Sequence, residues 1–166
     1  MTTVELRLAG SASLYFSYGQ VLAYDSKEQQ PGSIWTEQHI RQGFVRRPYS
    51  VGFGTLTQDG TAAVRVFRGN LTLVETYERV VSVPIELPSG VLRLEGPEEY
   101  PIERAVDLKP GAFRLTVAQT TNQQGVLCMD FFIEDADEPN PRSKVLKSDD
   151  CVSGFDELSE TGIAAG

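Results

Sequence analysis

Short segments of alternating apolar and polar residues recur along most of this 166-residue chain, and turn-forming residues separate them. Phe113, Leu115 and Val117, for example, are separated by single polar residues. A period of two is typical of β strands that bury one face. The pattern predicts about nine strands, near residues 14–18, 21–24, 51–53, 63–67, 74–87, 91–94, 102–108, 113–117 and 125–134. We therefore expect an all-β fold, an antiparallel β-sandwich or a flattened barrel.

One segment departs from this pattern and predicts a single short helix near residues 36–43. The Thr36 hydroxyl can cap its first turn, and Glu37 lies where the positive end of the helix dipole favours an acid. Gly43 provides the left-handed residue with which helices commonly end. The chain is therefore expected to be interrupted once by a helix of about two turns.

The same segment contains the only Trp and the only His of the chain, Trp35 and His39. Trp35 directly precedes the cap, where a hydrophobic residue often packs on the fourth helical residue, here Ile40. We therefore interpret Trp35 as a structural residue. For His39 a solvated or capping role is preferred to a catalytic one, because it stands on a short helix between charged neighbours.

The net charge of −8 is concentrated near the C-terminal end. Residues 1–129 are almost balanced, whereas residues 130–166 contain 10 acidic and 3 basic side chains. Such a field disfavours nucleic acid or an anionic membrane as a ligand and favours a basic partner. The change in composition divides the chain into a β-sandwich domain, residues 1–135, and an acidic, flexible tail, residues 136–166.

The sequence lacks the common phosphate-binding and nucleophile motifs, GxxxxGK[ST], GxGxxG, GxSxG and CxxC. One His cannot form a multi-histidine metal site, and the acidic segment has no DxDxDG calcium loop. We therefore expect no enzyme, no metal and no cofactor. No apolar run approaches the roughly 20 residues of a membrane span, and no secretory leader is visible. With Cys128 and Cys151 as a poor disulfide framework, a cytoplasmic location is expected.

Aromatic residues leave open a second class of function, a β-sandwich that binds a small molecule, a sugar or a lipid. Tyr15, Tyr18, Tyr24 and Tyr49 could line such a site, because aromatic rings commonly form the walls of ligand pockets. Their placement in the fold decides whether they can act together.

Five segments between roughly residues 12 and 120 stand in a distinctive order and spacing: Ser17-Tyr18-x-Gln20, Ile34-Trp35-Thr36, Gln42-Gly43-Phe44, Tyr77-Glu78-Arg79-Val80-Val81-x-Val83-Pro84 and Gly111-x-Phe113-x-Leu115. In that order and spacing they resemble the competence protein J family. The resemblance implies a small cytoplasmic protein that binds a non-specific nuclease and blocks its activity, without catalysis and without a cofactor. Gly19 and the acidic tail depart from the pattern, which leaves open whether the partner is another nuclease, such as a toxin with this chain as its immunity protein.

An inhibitor of this kind would present an acidic surface to the basic cleft of a nuclease and exclude DNA by competition, with no direct contact to nucleic acid. On charge and expected exposure, we predict seven partner-binding residues: Asp25, Glu37, Asp135, Asp137, Glu138, Asp149 and Asp150.

Overall fold

The computed structural model of the protein describes residues 7–96, 104–136, 138–149 and 158–165. Within these ranges the chain forms eleven strands, one α-helix and one short 3-10 helix. The strands belong to two sheets that pack face to face. The expectation of an all-β sandwich with one short helix is confirmed.

The first sheet has six strands, and one of its neighbouring pairs is parallel. Its strands are, in spatial order, β1 (Arg7–Phe16), β5 (Gly60–Arg68), β10 (Leu127–Asp135), β9 (Gly111–Thr121), β6 (Arg79–Leu87) and β11 (Lys144–Lys147). The parallel pair is β5 with β10, and the other neighbours are antiparallel.

The second sheet has five strands, all antiparallel to their neighbours. Its strands are, in spatial order, β3 (Phe44–Arg47), β4 (Ser50–Gly54), β2 (Gln20–Asp25), β7 (Val91–Glu95) and β8 (Arg104–Asp107). The helix α1 (Glu37–Gln42) lies between β2 and β3 in the chain, and the 3-10 helix (Val74–Thr76) precedes β6.

The main core lies between the two sheets and is built from the inward residues of both. Phe53 of the second sheet meets Phe131 of the first edge to face, with ring centroids 6.1 Å apart. Because side chains alternate along a strand, Phe132 lies on the outer face of the first sheet. There it forms a smaller cluster with Val80 and Ala118, covered in part by Tyr77.

Two strands were not expected from the sequence. None of the predicted strands covers residues 44–47, but β3 forms there as an edge strand. The second unexpected strand, β11, falls inside the segment predicted to be a flexible tail. Both are four-residue edge strands rich in basic side chains, which suit sheet edges and give little period-two signal.

The described parts of residues 136–166 contact the sandwich. β11 pairs with β6, and Ala164 forms an isolated bridge with Ser33. The flexibility expected of this segment, and the domain boundary near residue 136, stay predictions.

Gly43 tests the predicted end of the helix. It has a φ of 85°, and its N–H donates to the carbonyl of His39. A side chain is disfavoured at this backbone angle, so we expect Gly43→Ala to lower the free energy of unfolding by about 1 kcal/mol. Chemical denaturation measures this difference. Gly111→Ala is the control, because the added methyl group would meet only ordinary van der Waals contacts. Equal stability of the two variants would contradict the left-handed cap.

Candidate functional site

A pocket of about 460 Å³ opens at one end of the sandwich, where β2 and β6 begin and β4 ends. We call it the end pocket. The side chains that line it include Tyr18, Gln20, Trp35, Ile40, Gln58 and Arg79. The pocket therefore gathers residues from both sheets, from the helix and from three connecting segments.

The turn between β1 and β2 forms one wall of the end pocket. Its central residues, Tyr18 and Gly19, both have positive φ, 57° and 66°, as in a type I′ hairpin turn. The Gly19 N–H donates to the carbonyl of Gln58 at 2.7 Å, and the Thr55 N–H donates to the carbonyl of Gly19 at 2.9 Å. The turn is thus held from both sides, while the Tyr18 side chain stays 72% exposed.

Trp35 forms a second wall. Its Nε1–H donates to Gln20 Oε1 at 3.0 Å. Its ring lies over Gly52, where an added Cβ would stand 3.1 Å from the ring atom Cζ2. The structural role expected for Trp35 is therefore present, but Ile40 remains 60% exposed, so the expected staple does not bury Ile40. Both side chains border the same pocket.

Arg79 closes the floor of the end pocket and is only 3% exposed. Its Nη1 donates to the carbonyl of Gly54 at 2.8 Å. Its Nε and Nη2 donate to the two carboxylate oxygens of Asp149, at 3.2 and 2.9 Å. Gln119 donates to the same Gly54 carbonyl and accepts from the Leu56 N–H. A two-point, charge-assisted pair of this kind fixes geometry as well as charge, so Asp149 ties the C-terminal segment to the pocket.

His39 is buried and acts as a cap. The Thr36 hydroxyl accepts from the His39 N–H, and the Thr36 N–H donates to His39 Nδ1 at 3.1 Å. Since Nδ1 is an acceptor, the ring proton lies on Nε2, which donates to the carbonyl of Thr161 at 3.1 Å. The capping role expected for His39 is confirmed.

The C-terminal segment also binds the last residue of the helix, Gln42. Gln42 Nε2 donates to the carbonyl of Ser159, and the Ser159 N–H donates to Gln42 Oε1. Glu160 accepts from Arg46, at 2.6 Å, and from the N–H and hydroxyl of Ser143, at 2.6 and 2.7 Å. The helix that presents Ile40 is thereby fixed to the sandwich by residues distant in sequence.

Two of the seven predicted partner-binding residues lie beside the end pocket. Asp149 is half-buried against Arg79, so its carboxylate is already engaged. Glu37 is exposed and precedes Ile40 by three residues, which places both on one face of the helix. Asp137 and Asp150 lie outside the described residues.

The other three lie at the opposite end of the sandwich. Asp135 of β10 lies opposite Phe113 of β9. Phe113 is about 20 Å along β9 from the end of that strand that is nearest the pocket. Asp135 and Glu138 are exposed. Asp25 is 2% exposed, and its carboxylate accepts from the N–H and hydroxyl of Ser89. The predicted residues therefore do not form one surface, and Asp25 is engaged inside the protein.

The four tyrosines considered for a ligand site are also dispersed. Tyr15 is exposed on β1 and Tyr18 borders the end pocket, whereas Tyr24 is buried in β2 and Tyr49 is exposed in the turn between β3 and β4. A second cavity, of about 390 Å³, is lined by β1, β5, β7 and β8 residues such as Leu14 and Val106. The four aromatic rings therefore do not line one site.

Two negative findings apply to the described ranges. No helix in them has the length and apolar character needed to cross a membrane. No three of their His, Cys, Asp and Glu side chains lie close enough to hold a metal ion.

The family model of competence protein J (ComJ) matches residues 13–133, well over half of the chain. The chain belongs to the competence protein J family. Among solved structures it is similar to ComJ from Bacillus subtilis, an inhibitor of the DNA-degrading activity of NucA, with 17% identity and a TM-score of 0.70 over 80% of this chain and 100% of that one. It is also similar to the crocagin biosynthetic gene J protein, with 15% identity and a TM-score of 0.52 over 78% and 98% of the two chains. No curated protein sequence matches it.

Four of the five segments that carry the family resemblance in the sequence meet at the end pocket, and the fifth, which contains Phe113, lies at the opposite end of the sandwich. Tyr18 and Gln20 come from the first of them, Trp35 from the second and Arg79 from the fourth. The third contributes Gly43, whose carbonyl accepts from the Gly54 N–H at 2.9 Å. We therefore take the end pocket as the candidate functional site.

Glu160 gives the attachment of the helix a pH dependence. Burial alone would raise the pKa of Glu160, but the hydrogen bonds from Ser143 and the pairing with Arg46 together lower it below its ordinary 4.5. A lowered pKa in the folded state means that Glu160 stabilises the fold above pH 4.5 and that this contribution is lost as the pH falls below that value. We expect Glu160→Gln to destabilise the protein at pH 7, and the difference from wild type to shrink near pH ~3.

Denaturation at the two pH values measures this effect. Glu86→Gln, which removes an exposed carboxylate from β6, is the matched control and should change stability little at either pH. A Glu160→Gln penalty that is as large near pH ~3 as at pH 7 would contradict the assignment.

Proposed function

We propose that this protein is a non-catalytic inhibitor that binds a nuclease and blocks its nucleic-acid cleft. The observation that carries the proposal is the family match, together with a fold shared with ComJ, an inhibitor of the DNA-degrading activity of NucA. The proposal places the protein in the cytoplasm, as the family resemblance implies.

Charge supports the same conclusion. The chain has a net charge of −8, whereas a cleft that holds DNA must attract phosphates and is therefore basic. An acidic protein approaches such a cleft faster than a neutral one, and it competes with DNA for the same field. Exposed carboxylates at both ends of the sandwich contribute to this attraction.

A ligand-binding function remains the second candidate, because the cavity of about 390 Å³ falls in the size range of small-molecule sites. Its described lining combines aliphatic side chains, such as Val64, Val66 and Leu94, with polar groups that include Ser11. A small molecule with both apolar and polar parts, a lipid or a sugar among them, would suit it. Thermal stabilisation by such a ligand, without inhibition of any nuclease, would favour this function.

The direct test is a DNA-degradation assay with a panel of nucleases. The panel contains NucA and the related nucleases of the genome that encodes this chain. We expect the protein to inhibit at least one of them at about one-to-one stoichiometry, because a stable interface covers the cleft once. Digestion of DNA at an undiminished rate by every member, with the protein in excess, would contradict the proposal.

The contribution of charge is best tested by point substitutions. Removal of residues 136–166 would delete Asp149 and leave the buried guanidinium of Arg79 unpaired, which destabilises a fold strongly. Asp135→Asn combined with Glu138→Gln removes two exposed charges instead.

For this double variant we expect association with the nuclease at low salt to slow by a factor of about 2 to 5. Stopped-flow binding over a range of salt concentrations measures the rate. The variant and wild type should converge at high salt, where exposed charges are screened. Lys144→Gln, which makes the protein more acidic, is the control and should not slow association. Identical rates for the double variant and wild type at low salt would contradict a role for these acids.

A further inference from the structure

We propose that the end pocket is the surface that contacts the nuclease and that Tyr18 is its anchoring side chain. This inference rests on the proposed function and names the surface through which the protein would bind the nuclease. The partner chemistry is a basic protein surface beside a nucleic-acid cleft.

The first argument is the backbone of Tyr18. Its φ of 57° lies in the left-handed region, which Asn, Asp and Gly adopt far more readily than aromatic residues. Residues in such conformations concentrate at functional sites, where the strain has a use. Because Tyr18 is 72% exposed, burial within the chain does not compensate for the strain. Folding therefore does not explain a tyrosine at this position, whereas contact with a partner does.

The second argument is that the turn is rigid. Hydrogen bonds join Gly19 to Thr55 and to Gln58, and the same loop is bound to β9 through Gln119. The ring is thus presented from a fixed backbone, so that binding costs little conformational entropy.

The third argument is the composition around the turn. Tyr18, the indole of Trp35 and the exposed side chain of Ile40 border one pocket. The exposed Asp59 directly follows Gln58 in the chain, the exposed Glu37 lies between Trp35 and Ile40, and the exposed Arg41 directly follows Ile40. An aromatic and aliphatic centre with a charged rim is the usual arrangement of an interface hot spot. Two exposed acids against one exposed base on this rim favour a basic partner, and the net charge of −8 disfavours a second copy of this chain.

The test is Tyr18→Asn, which replaces the ring and supplies the Asn-Gly pair preferred in this turn. We expect the melting temperature to stay equal or rise, and the concentration for half-inhibition of the nuclease identified above to rise at least about tenfold. Tyr18→Phe should retain most of the inhibition. Tyr49→Ala, which removes an exposed tyrosine at the opposite end of the sandwich, is the matched control and should inhibit like wild type.

A second variant, Ile40→Lys, places a positive charge on the same surface without opening the core and should also weaken inhibition at least about tenfold. Full inhibition by Tyr18→Asn and Ile40→Lys would overturn this surface and leave the proposed function standing. Failure of the wild-type chain to inhibit would overturn both. Dimerisation of the wild-type chain that Tyr18→Asn abolishes, with inhibition unchanged, would assign the pocket to self-association and overturn the proposal.

Discussion

The guanidinium of Arg79 is buried at the start of β6, and three parts of the fold meet on it. It donates to Gly54 of the second sheet and to Asp149 of the C-terminal segment, while its own strand belongs to the first sheet. A buried charge is costly unless it is paired and hydrogen-bonded. The cost of burying this charge therefore favours one arrangement of the fold, because the two sheets and the C-terminal segment must all be in place before the guanidinium is paired and hydrogen-bonded. The end pocket is the open space left above this junction.

The junction also explains how an exposed, strained turn can persist. Gln119 fixes the start of the loop after β4 through hydrogen bonds to Gly54 and Leu56. The same loop in turn holds the β1–β2 turn through its hydrogen bonds to Gly19. A residue in the left-handed region keeps its conformation only where its surroundings impose it. The ion pair at the base of the pocket and the tyrosine at its rim thus belong to one continuous set of contacts.

Much of the fold followed from local signals in the sequence, and the rest depended on distant contacts. Thr36 and Gly43 defined the helix, because caps act on their own neighbours. The short edge strands β3 and β11 gave no periodic signal, and pairing with β4 and β6 defines them. For the candidate site, the resemblance already contained Tyr18, Trp35 and Arg79. Their convergence could not be predicted, because no local rule relates positions so far apart in the chain.

The acidic residues expected to bind the partner illustrate the same limit. Net charge is a property of composition, so an acidic protein with a basic partner could be inferred without a fold. Which carboxylates face the partner depends on topology, and β9 separates Asp135 from the end pocket by about 20 Å. That distance exceeds the screening length of about 8 Å at physiological salt. Acids at the far end can therefore speed the approach of a partner at low salt but contribute little once it is bound at the pocket. In the proposed complex, acids at both ends of the sandwich attract the partner, whereas short-range contacts at the pocket provide the selectivity for one nuclease over another.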